Sequence, residues 1–406
     1  MPGLTLSMVP KRVLLVHNAY QHRGGEDTVV ESELALLRAH GHVVEAYTRS
    51  NDDVGGMSSL ALVRQTLWSS RTMREIGVLI DRFRPDVIHA HNTFPLISPS
   101  LYWVAARAGV PVVQTLHNFR LMCLNALFLR EGKVCEDCMG RLPWRGVARA
   151  CYRGSRPASA VLAGMLTLHR GLGTYRNKVA RYIALNGFCR DKFIEGGLPA
   201  ERVVVKPNFV DWDEGRLLPG PSPEGEGEKQ GLLFVGRLSV EKGIRTLAQA
   251  MQRLPGTTLR VAGDGPEAAC LDGVPGIVHL GSLTSEAVRG EMKRALALVV
   301  PSIWYETFGM VAIEAFASAT PVIASRIGSL AALVREGHTG LLFEPGNARD
   351  LADKLAWALA HPDEMAAMGR NARARYETEF SPKVNYRRLM EIYGEAIATG
   401  PGKVHD

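Results

Sequence analysis

The sequence predicts an α/β protein with two doubly wound parallel-sheet domains that face each other across a cleft. Short apolar runs alternate with amphipathic helical stretches along most of the 406 residues, a pattern typical of parallel sheets covered by helices. A chain of this length also exceeds one ordinary hydrophobic core. A Pro/Gly/Glu-rich run at 219–230 has nothing to bury and indicates a domain boundary nearby.

The elements of the first half alternate regularly up to residue 118. Strands are predicted at 12–16, 43–47, 87–90 and 110–116, and helices at 28–39, 58–83 and 98–108. The helix at 58–83 is expected to break near Gly77, because glycine weakens a helix interior. The alternation of strands and helices is interrupted by a cysteine-containing insertion at about 118–157. It continues after the insertion with a helix and with strands at 182–185 and 203–205.

The alternation starts again after the Pro/Gly/Glu-rich run. Strands are predicted at 232–235, 259–262, 278–280, 296–300 and 322–324, followed by helices at 347–376, cut at His361–Pro362, and at 383–398. We therefore expect an N-terminal domain at 1–210 and a second domain at 211–382. Ligands are expected at the carboxyl ends of the strands of both sheets.

Composition favours a cytoplasmic globular protein. Hydrophobic residues make up 46% and charged residues 22% of the chain, and the mean hydropathy is −0.02. No apolar run is long enough to span a bilayer. Residues 1–10 lack the order of charged and apolar residues that a secretory signal has.

Positive charge is concentrated in the first domain. The net charge is +7, and 120–181 carries 12 Lys or Arg against three acids, which leaves 7 − 9 = −2 for the remainder. This segment could contact an anionic membrane surface or a phosphorylated acceptor, or it could be an ordinary solvated face. Nucleic acid is not expected as a partner, because no nucleic-acid-binding motif accompanies the charge.

Four of the six cysteines fall in the same segment. Cys135 and Cys138 form a C-x2-C pair, which resembles a metal knuckle, and Cys123 and Cys151 could complete a tetrahedral zinc site. Zinc is a better prediction than disulfides for a reducing compartment. Cys189 and Cys270 are isolated and are interpreted as packing residues.

The stretch 299–321 has the strongest pattern for ligand binding. An apolar strand ends at Pro301, a loop carries Glu306, and a helix beginning near Phe308 carries Glu314. The N–H groups of Phe308, Gly309 and Met310 would attract negative charge. Two acids on either side of an anion-binding helix start suit a molecule with a diphosphate centre and hydroxyls at both ends, such as a nucleotide sugar.

Other candidate residues follow predicted strands of the two domains. Gly24 and Gly25 come after the first strand and open a helix, although an ordinary tight turn would look the same. His117 ends a strand and would face the cleft, although such a histidine is more often structural. In the second domain, Arg237 and Lys242 could flank a diphosphate.

Together these motifs resemble the family-4 retaining glycosyltransferases of GT-B fold. The resemblance is carried by Glu306 and Glu314 at E-x7-E spacing, by 236–238 and 241–243, by 262–266, and by the early Gly-Gly pair. It covers nearly the whole chain. It implies an acceptor-side first domain, a donor-binding second domain, and a C-terminal helix at 383–406 that completes the first domain.

The resemblance also implies a role for each matching residue. Arg237 and Lys242 would neutralise the donor diphosphate, Glu306 would bind donor-sugar hydroxyls, and Glu314 would bind the ribose. His117 would lie near the reacting carbon. Backbone groups of Gly24, Gly25, Gly236, Gly263, Phe308, Gly309 and Met310 would contact or adjoin the donor.

The resemblance implies a retaining hexosyltransferase that moves sugar from a nucleoside diphosphate sugar to a hydroxyl acceptor, in bacterial polysaccharide, glycolipid or lipid-linked glycan synthesis. No metal is expected in catalysis, because cationic side chains can stabilise the leaving diphosphate. Asp211 and Asp213 form a D-x-D motif away from the expected donor cleft and are not assigned a metal. The alternatives are an epimerase or phosphorylase of the same fold and a non-catalytic nucleotide-sugar-binding protein.

Overall fold

The computed structural model describes residues 11–21, 24–212, 229 and 231–400. The described residues form two six-stranded parallel sheets with helices on their faces, and one short antiparallel hairpin. The predicted fold class is confirmed. Of the predicted linker at 219–230, residue 229 alone is described, and the rest lies outside the described residues. The domain limits, with the boundary at 210/211, stay a prediction.

The elements of the first domain precede residue 213. Its strands are β1 (Arg12–Ala19), β2 (Val43–Ser50), β3 (Val87–Ala90), β4 (Val112–Leu116), β5 (Leu129–Arg130), β6 (Lys133–Val134), β7 (Arg181–Ala184) and β8 (Val203–Val205). Its helices are α1 (Gly25–Ala39), α2 (Ser59–Leu67), α3 (Ser70–Phe83), α4 (Ser100–Arg107), α5 (Trp144–Ala148), α6 (Arg156–Gly171), α7 (Thr174–Asn177) and α8 (Gly187–Glu195).

The second sheet and the remaining helices of both domains follow residue 230. The strands are β9 (Leu232–Val235), β10 (Leu259–Ala262), β11 (Ile277–Gly281), β12 (Ala297–Val300), β13 (Val322–Ser325) and β14 (Gly340–Phe343). The helices are α9 (Ile244–Met251), α10 (Ser285–Arg294), α11 (Met310–Ala317), α12 (Gly328–Leu333), α13 (Ala348–Ala360), α14 (Pro362–Arg375) and α15 (Pro382–Thr399).

The strand order of each sheet locates its ligand-binding edge. The first sheet has the order β2-β1-β3-β4-β7-β8 and the second has the order β11-β10-β9-β12-β13-β14. Successive connections change direction between β1 and β3 and between β9 and β12. Such switch points leave a crevice at the carboxyl ends of the strands. The residues after β1, β9 and β12 are therefore placed to line a ligand site.

The predicted break in the helix at 58–83 is at the wrong residue. The structure has two helices, α2 and α3, separated at Trp68 and Ser69, and Gly77 lies within α3. The Ser69 hydroxyl caps α3 by accepting a hydrogen bond from the Thr72 N–H at 3.0 Å, and the Ser69 N–H donates to Ser98 Oγ. A capping serine therefore decides the break, because it satisfies a free helical N–H.

Helix α15 packs on the first sheet although it follows the second one in sequence. Leu389 and Tyr393 are fully buried against residues such as Val13 and Val113. The Tyr393 hydroxyl lies 2.7 Å from His89 Nδ1. The residues just before α15 pack in the core of the second sheet, so the chain returns to the first domain at the start of α15.

Among the residues that the structure describes, no helix is both long and apolar enough to cross a membrane.

Candidate active site

The loops at the two switch points enclose a cleft of about 360 Å³ between the sheets. Ten predicted site residues line it: Gly25, His117, Gly236, Arg237, Lys242, Glu306, Phe308, Gly309, Met310 and Glu314. A cavity of about 490 Å³ adjoins the cleft and shares Val235, Met310 and Glu314 with it. The cleft therefore continues past Glu314 along the second domain.

The helix start between the two acids depends on Gly309. Helix α11 begins at Met310, two residues later than predicted, and Gly309 caps it with a φ of +87°. A Cβ at Gly309 would lie 3.1 Å from Leu330 Cδ2, so both the left-handed backbone and the lack of space favour glycine here. The free N–H groups of this first turn line the cleft between Glu306 and Glu314.

Glu306 is buried and paired with a cation. Its Oε1 lies 2.5 Å from Lys242 Nζ and accepts a hydrogen bond from Ser302 Oγ at 2.8 Å. Burial alone would raise the pKa of Glu306, but Lys242 and the hydrogen bonds outweigh it and lower the pKa below its usual value. Glu306 is therefore an ionised hydrogen-bond acceptor, and the Lys242 side chain is held at the Glu306 end of the cleft.

The position of Lys242 follows from close backbone packing. Lys242 ends a short 3-10 turn, and the next residue, Gly243, has a φ of +71°. A Cβ on Gly243 would lie 1.9 Å from the Pro301 carbonyl oxygen. The Ile303 N–H also donates to the Glu241 carbonyl oxygen at 2.9 Å. These contacts hold the turn after β9 against the loop after β12, whereas Arg237 is exposed at the cleft.

Glu314 differs electrostatically from Glu306. It is partly exposed where the two cavities meet, and burial raises its pKa to about 7, while the nearby Arg289 acts in the opposite direction. Asp211 of the D-x-D motif lines the second cavity, so the prediction that it lies away from the cleft is wrong, and Asp213 lies outside the described residues.

The Gly24–Gly25 loop is fixed by a hydrogen bond at Gly24 and has open space at Gly25. The Gly24 N–H donates to Asp27 Oδ2 at 2.9 Å, and Asp27 Oδ1 lies 2.8 Å from His17 Nε2. Among the described residues, and apart from its chain neighbours and the backbone of its own helix, a Cβ on Gly25 would have no atom within 4 Å, and Gly25 has no left-handed φ. Neither packing nor backbone conformation in the protein therefore requires a glycine at residue 25.

His117 is part of a buried chain of polar side chains. Its Nε2 lies 2.8 Å from His91 Nδ1, and His91 Nε2 lies 3.5 Å from Glu33 Oε1. Burial, assisted by His91, holds the pKa of His117 well below its usual value, so the ring is neutral near pH 7. Its backbone oxygen accepts a hydrogen bond from Thr307 Oγ1 at 2.8 Å, which joins the first domain to the loop after β12.

Glu26 lines the cleft and was not predicted as a site residue. Its Oε2 accepts hydrogen bonds from Tyr20 Oη at 2.9 Å and from Asn118 Nδ2 at 3.3 Å. Its Oε1 is buried without a protein partner among the described residues, and burial raises the pKa of Glu26 to about 7. The sequence did contain a signal for Glu26, because this acid directly follows two glycines at the start of a helix.

Two predicted donor-binding glycines, Gly24 and Gly263, are not among the residues that line the cleft. A Cβ on Gly263 would lie 1.9 Å from the Gly236 carbonyl oxygen. Gly263 therefore supports the loop after β9 from behind.

The four cysteines of the insertion line a small cavity of their own, not the cleft. Among the described residues, one group of at least three potential metal-ligand atoms lies within 4.8 Å, formed by Glu33, His89 and His91. Lys206 Nζ lies 3.1 Å from Glu33 Oε2 and already supplies the positive charge there. We therefore assign no metal to that group.

Comparison with known proteins identifies the family. "Glycosyl transferase 4-like domain" matches 24–208, and "Glycosyl transferases group 1" matches 221–375. The D-inositol 3-phosphate glycosyltransferase of Rhodococcus jostii is 34% identical over 340 residues, which cover 78% of this chain and 69% of the relative. This chain belongs to the family-4 glycosyltransferases of GT-B fold.

Further similar proteins include one sequence relative and two solved structures. A glycogen synthase of Mycobacterium tuberculosis is 28% identical to this glycosyltransferase over 352 residues, with 82% of this chain and 74% of the relative covered. Anabaena HepE, solved in complex with UDP and glucose, superposes with a TM-score of 0.63 at 18% identity, covering 95% of this chain and 99% of HepE. Sucrose-phosphate synthase from Thermosynechococcus elongatus superposes with a TM-score of 0.68 at 20% identity, covering 96% of this chain and 100% of the synthase. These structures share the two-domain fold.

Proposed function

We propose that this glycosyltransferase is a retaining hexosyltransferase that takes its sugar from a nucleoside diphosphate sugar. The observation that carries the proposal is the arrangement of charges in the cleft. Arg237, Lys242 and the start of α11 bring positive charge to the cleft that Glu306 and Glu314 also line, and Lys242 contacts Glu306. These charges match the sugar hydroxyls, the diphosphate and the ribose of one extended molecule.

Each end of the donor has a matching environment. Glu306 is an ionised acceptor that Lys242 and Ser302 hold in place, which suits hydroxyls of the transferred sugar. Glu314 lies where the second cavity begins, which leaves space beyond the ribose for a base. The open space above Gly25 lets the diphosphate approach the first-domain backbone closely.

The chemistry follows from the charge that develops on the leaving group. As the bond between the anomeric carbon and the phosphate oxygen breaks, Arg237, Lys242 and the α11 N–H groups stabilise the diphosphate. The acceptor oxygen attacks the same face of the sugar and transfers its proton to the departing phosphate oxygen, which retains the configuration. Neutral His117 can donate or accept a hydrogen bond near the reacting carbon but adds no charge. This mechanism requires no catalytic divalent metal.

The proposal is tested by the release of nucleoside diphosphate from a panel of nucleotide sugars. We expect Glu306→Gln and Arg237→Gln each to lower kcat/KM for the donor about 100-fold, the usual effect of removing one such contact. Arg253→Gln is the matched control, because Arg253 is an exposed arginine of the same domain outside the cleft. Undiminished turnover in both cleft variants would refute the assignment.

The same assay separates the alternatives. A transferase requires a hydroxyl acceptor for full turnover, a phosphorylase requires inorganic phosphate, and an epimerase requires neither. Tight binding without turnover would indicate a non-catalytic binding protein. Activity should persist in EDTA during an assay short enough that the metal content of the protein, measured in parallel, does not change.

We propose further that the acceptor is presented at an anionic membrane surface. Leu142 and Trp144 are 63% and 64% exposed at the start of α5. Arg141 precedes this pair and Arg145 follows it. Exposed apolar side chains between arginines suit a lipid interface with anionic headgroups. A lipid-linked or glycan hydroxyl acceptor at that surface would reach the first-domain side of the cleft.

Sedimentation with lipid vesicles tests the membrane contact. We expect wild-type protein to bind vesicles with anionic lipid more tightly than neutral vesicles, and Leu142→Ser/Trp144→Ser to lose most of that binding. Leu60→Ser is the control, because Leu60 is also 63% exposed in the first domain. Equal binding to both kinds of vesicle, or equal loss in the control, would contradict the proposed contact.

A further inference from the structure

Four cysteines of the insertion at about 118–157 meet at one cavity in the first domain. Cys123, Cys135, Cys138 and Cys151 all line it, and none of them forms a disulfide. The cavity volume is about 20 Å³, which is enough for one water molecule or one ion and too small for an organic ligand. A ligand of atomic size is therefore the only occupant that fits.

The local backbone around Cys135 and Cys138 has the form of a metal knuckle. The hairpin β5–β6 leads directly into Cys135, whose N–H donates to the Phe128 carbonyl oxygen at 2.8 Å. The chain then turns, with the Met139 N–H donating to the Glu136 carbonyl oxygen at 3.0 Å and a left-handed φ of +64° at Gly140. A hairpin followed by such a turn directs two sulfur atoms to one side.

The other two cysteines lie on either side of the knuckle in sequence, Cys123 before it and Cys151 after it. Cys123 lies in a turn where its N–H donates to the Phe119 carbonyl oxygen at 2.8 Å, and Cys151 follows α5. Gly146 of α5 brings that helix close, because a Cβ there would lie 2.7 Å from Leu124 Cδ1 and 3.4 Å from Cys138 Sγ. The segment is thus folded around the sulfur atoms.

The charge around the cavity suits a thiolate-bound dication. Four thiolates and one Zn²⁺ have a net charge of −2, and the cavity is lined by Arg130, Arg149 and Asp137, the last paired with Arg149, so the lining carries one positive charge in excess. Among the described residues, no three of the four sulfur atoms lie within 4.8 Å of one another, whereas sulfur atoms on one zinc are about 3.8 Å apart. Ion binding therefore requires the thiol side chains to turn inward.

We propose that Cys123, Cys135, Cys138 and Cys151 bind one structural zinc ion. The ion would close a segment that is poor in regular structure, in which Ala126, Phe128, Glu131, Ala150 and Arg153 all have positive φ. Such a segment needs cross-links to keep one conformation. The segment begins beside the cleft, where Asn118 contacts Glu26, so the zinc also stabilises one wall of the cleft.

Metal analysis of full-length protein, purified under reducing conditions without chelator, tests the site. We expect one zinc per chain in wild type, less than about a tenth of that in Cys135→Ser and Cys151→Ser, and a full complement in Cys270→Ser. Cys270 is a partly buried cysteine of the second domain and is the matched control. The measurement is independent of activity, so it does not depend on the proposed function.

A second measurement covers the case in which the serine variants fail to fold. Titration of wild-type protein with a mercurial thiol reagent should release the zinc as four thiols react, and replacement by Co²⁺ should give the absorption of a tetrahedral thiolate complex. Zinc-free folded protein with all four thiols reduced would overturn the proposal. Disulfides among the four cysteines, or full zinc in Cys135→Ser, would also overturn it.

Discussion

At the residue scale, Glu306 and Glu314 have the same side chain and opposite electrostatic environments. Lys242 and hydrogen bonds lower the pKa of Glu306, whereas burial raises the pKa of Glu314 to about 7. The difference fits their proposed roles. Glu306 is charged before the donor binds, whereas Glu314 is only partly ionised near neutral pH.

We predict that nucleotide affinity depends on pH through Glu314. Below about pH 7 its carboxyl is protonated, and above that pH the carboxylate can accept both ribose hydroxyl hydrogens. The Kd for a nucleoside diphosphate should therefore fall several-fold as pH rises from about 6 to 8. Calorimetric titration at several pH values measures this Kd. Glu314→Gln should bind more weakly with a flatter profile, and an unchanged profile in Glu314→Gln would assign the effect to another group, such as Glu26.

The sequence predicts both acids from their spacing but not their partners. Lys242 and Glu306 are 64 residues apart, and they meet only because Gly243 packs against Pro301. Likewise, His117 was predictable as a strand-end histidine, whereas its contact with His91 depends on the pairing of β3 with β4. Such contacts arise from tertiary packing, which local patterns do not encode.

At the element scale, the start of α11 is the feature on which the cleft most depends. The sequence predicts the start of this helix to within two residues, because Pro301 ends the preceding strand and Gly309 precedes the helix. It places the break between α2 and α3 at the wrong residue, because the capping bond of Ser69 outweighs the low helix propensity of Gly77.

We predict that Gly309→Ala disrupts both stability and donor binding. The left-handed conformation costs a non-glycine residue about 1–2 kcal/mol, and the new methyl group would crowd Leu330. The free energy of unfolding should fall by at least about that amount, and nucleotide affinity should fall with it. Thermal denaturation and titration with a nucleoside diphosphate measure the two effects.

Gly394→Ala is the matched control. Gly394 is an exposed residue within α15 that has no positive φ, and an added methyl group would have no described atom within 4 Å outside its chain neighbours and the backbone of its own helix. Alanine there should raise stability by about 0.5–1 kcal/mol. A Gly309→Ala protein as stable as the control, with unchanged affinity, would show that the left-handed cap is not required.

At the scale of the whole molecule, a buried ion pair connects three distant parts of the first domain. Glu33 of α1 and Lys206 after β8 are each about 1% exposed, and Lys206 also donates to Asn385 of α15 at 3.0 Å. Amphipathic patterns predicted all of these elements, but they do not indicate that Glu33, Lys206 and the neutral Asn385 would be buried together. The pairing explains how α15 is fixed to the first sheet.

We predict that Lys206→Met alone destabilises the first domain by about 3–5 kcal/mol, because Glu33 is left buried without its main cation. Glu33→Gln/Lys206→Met should recover most of the loss. Urea denaturation of the single and double variants provides the measurement. Equal stability of wild type and Lys206→Met would contradict a structural role for the pair.

The proposed function depends above all on the binding of the donor diphosphate by Arg237 and Lys242 in this cleft. Calorimetric titration with the nucleoside diphosphate and monophosphate of the preferred base measures this binding. We predict that wild type binds the diphosphate at least about tenfold more tightly, and that Arg237→Gln/Lys242→Gln binds both nucleotides with the same weak affinity. A double variant that keeps the wild-type preference for the diphosphate would contradict the claim.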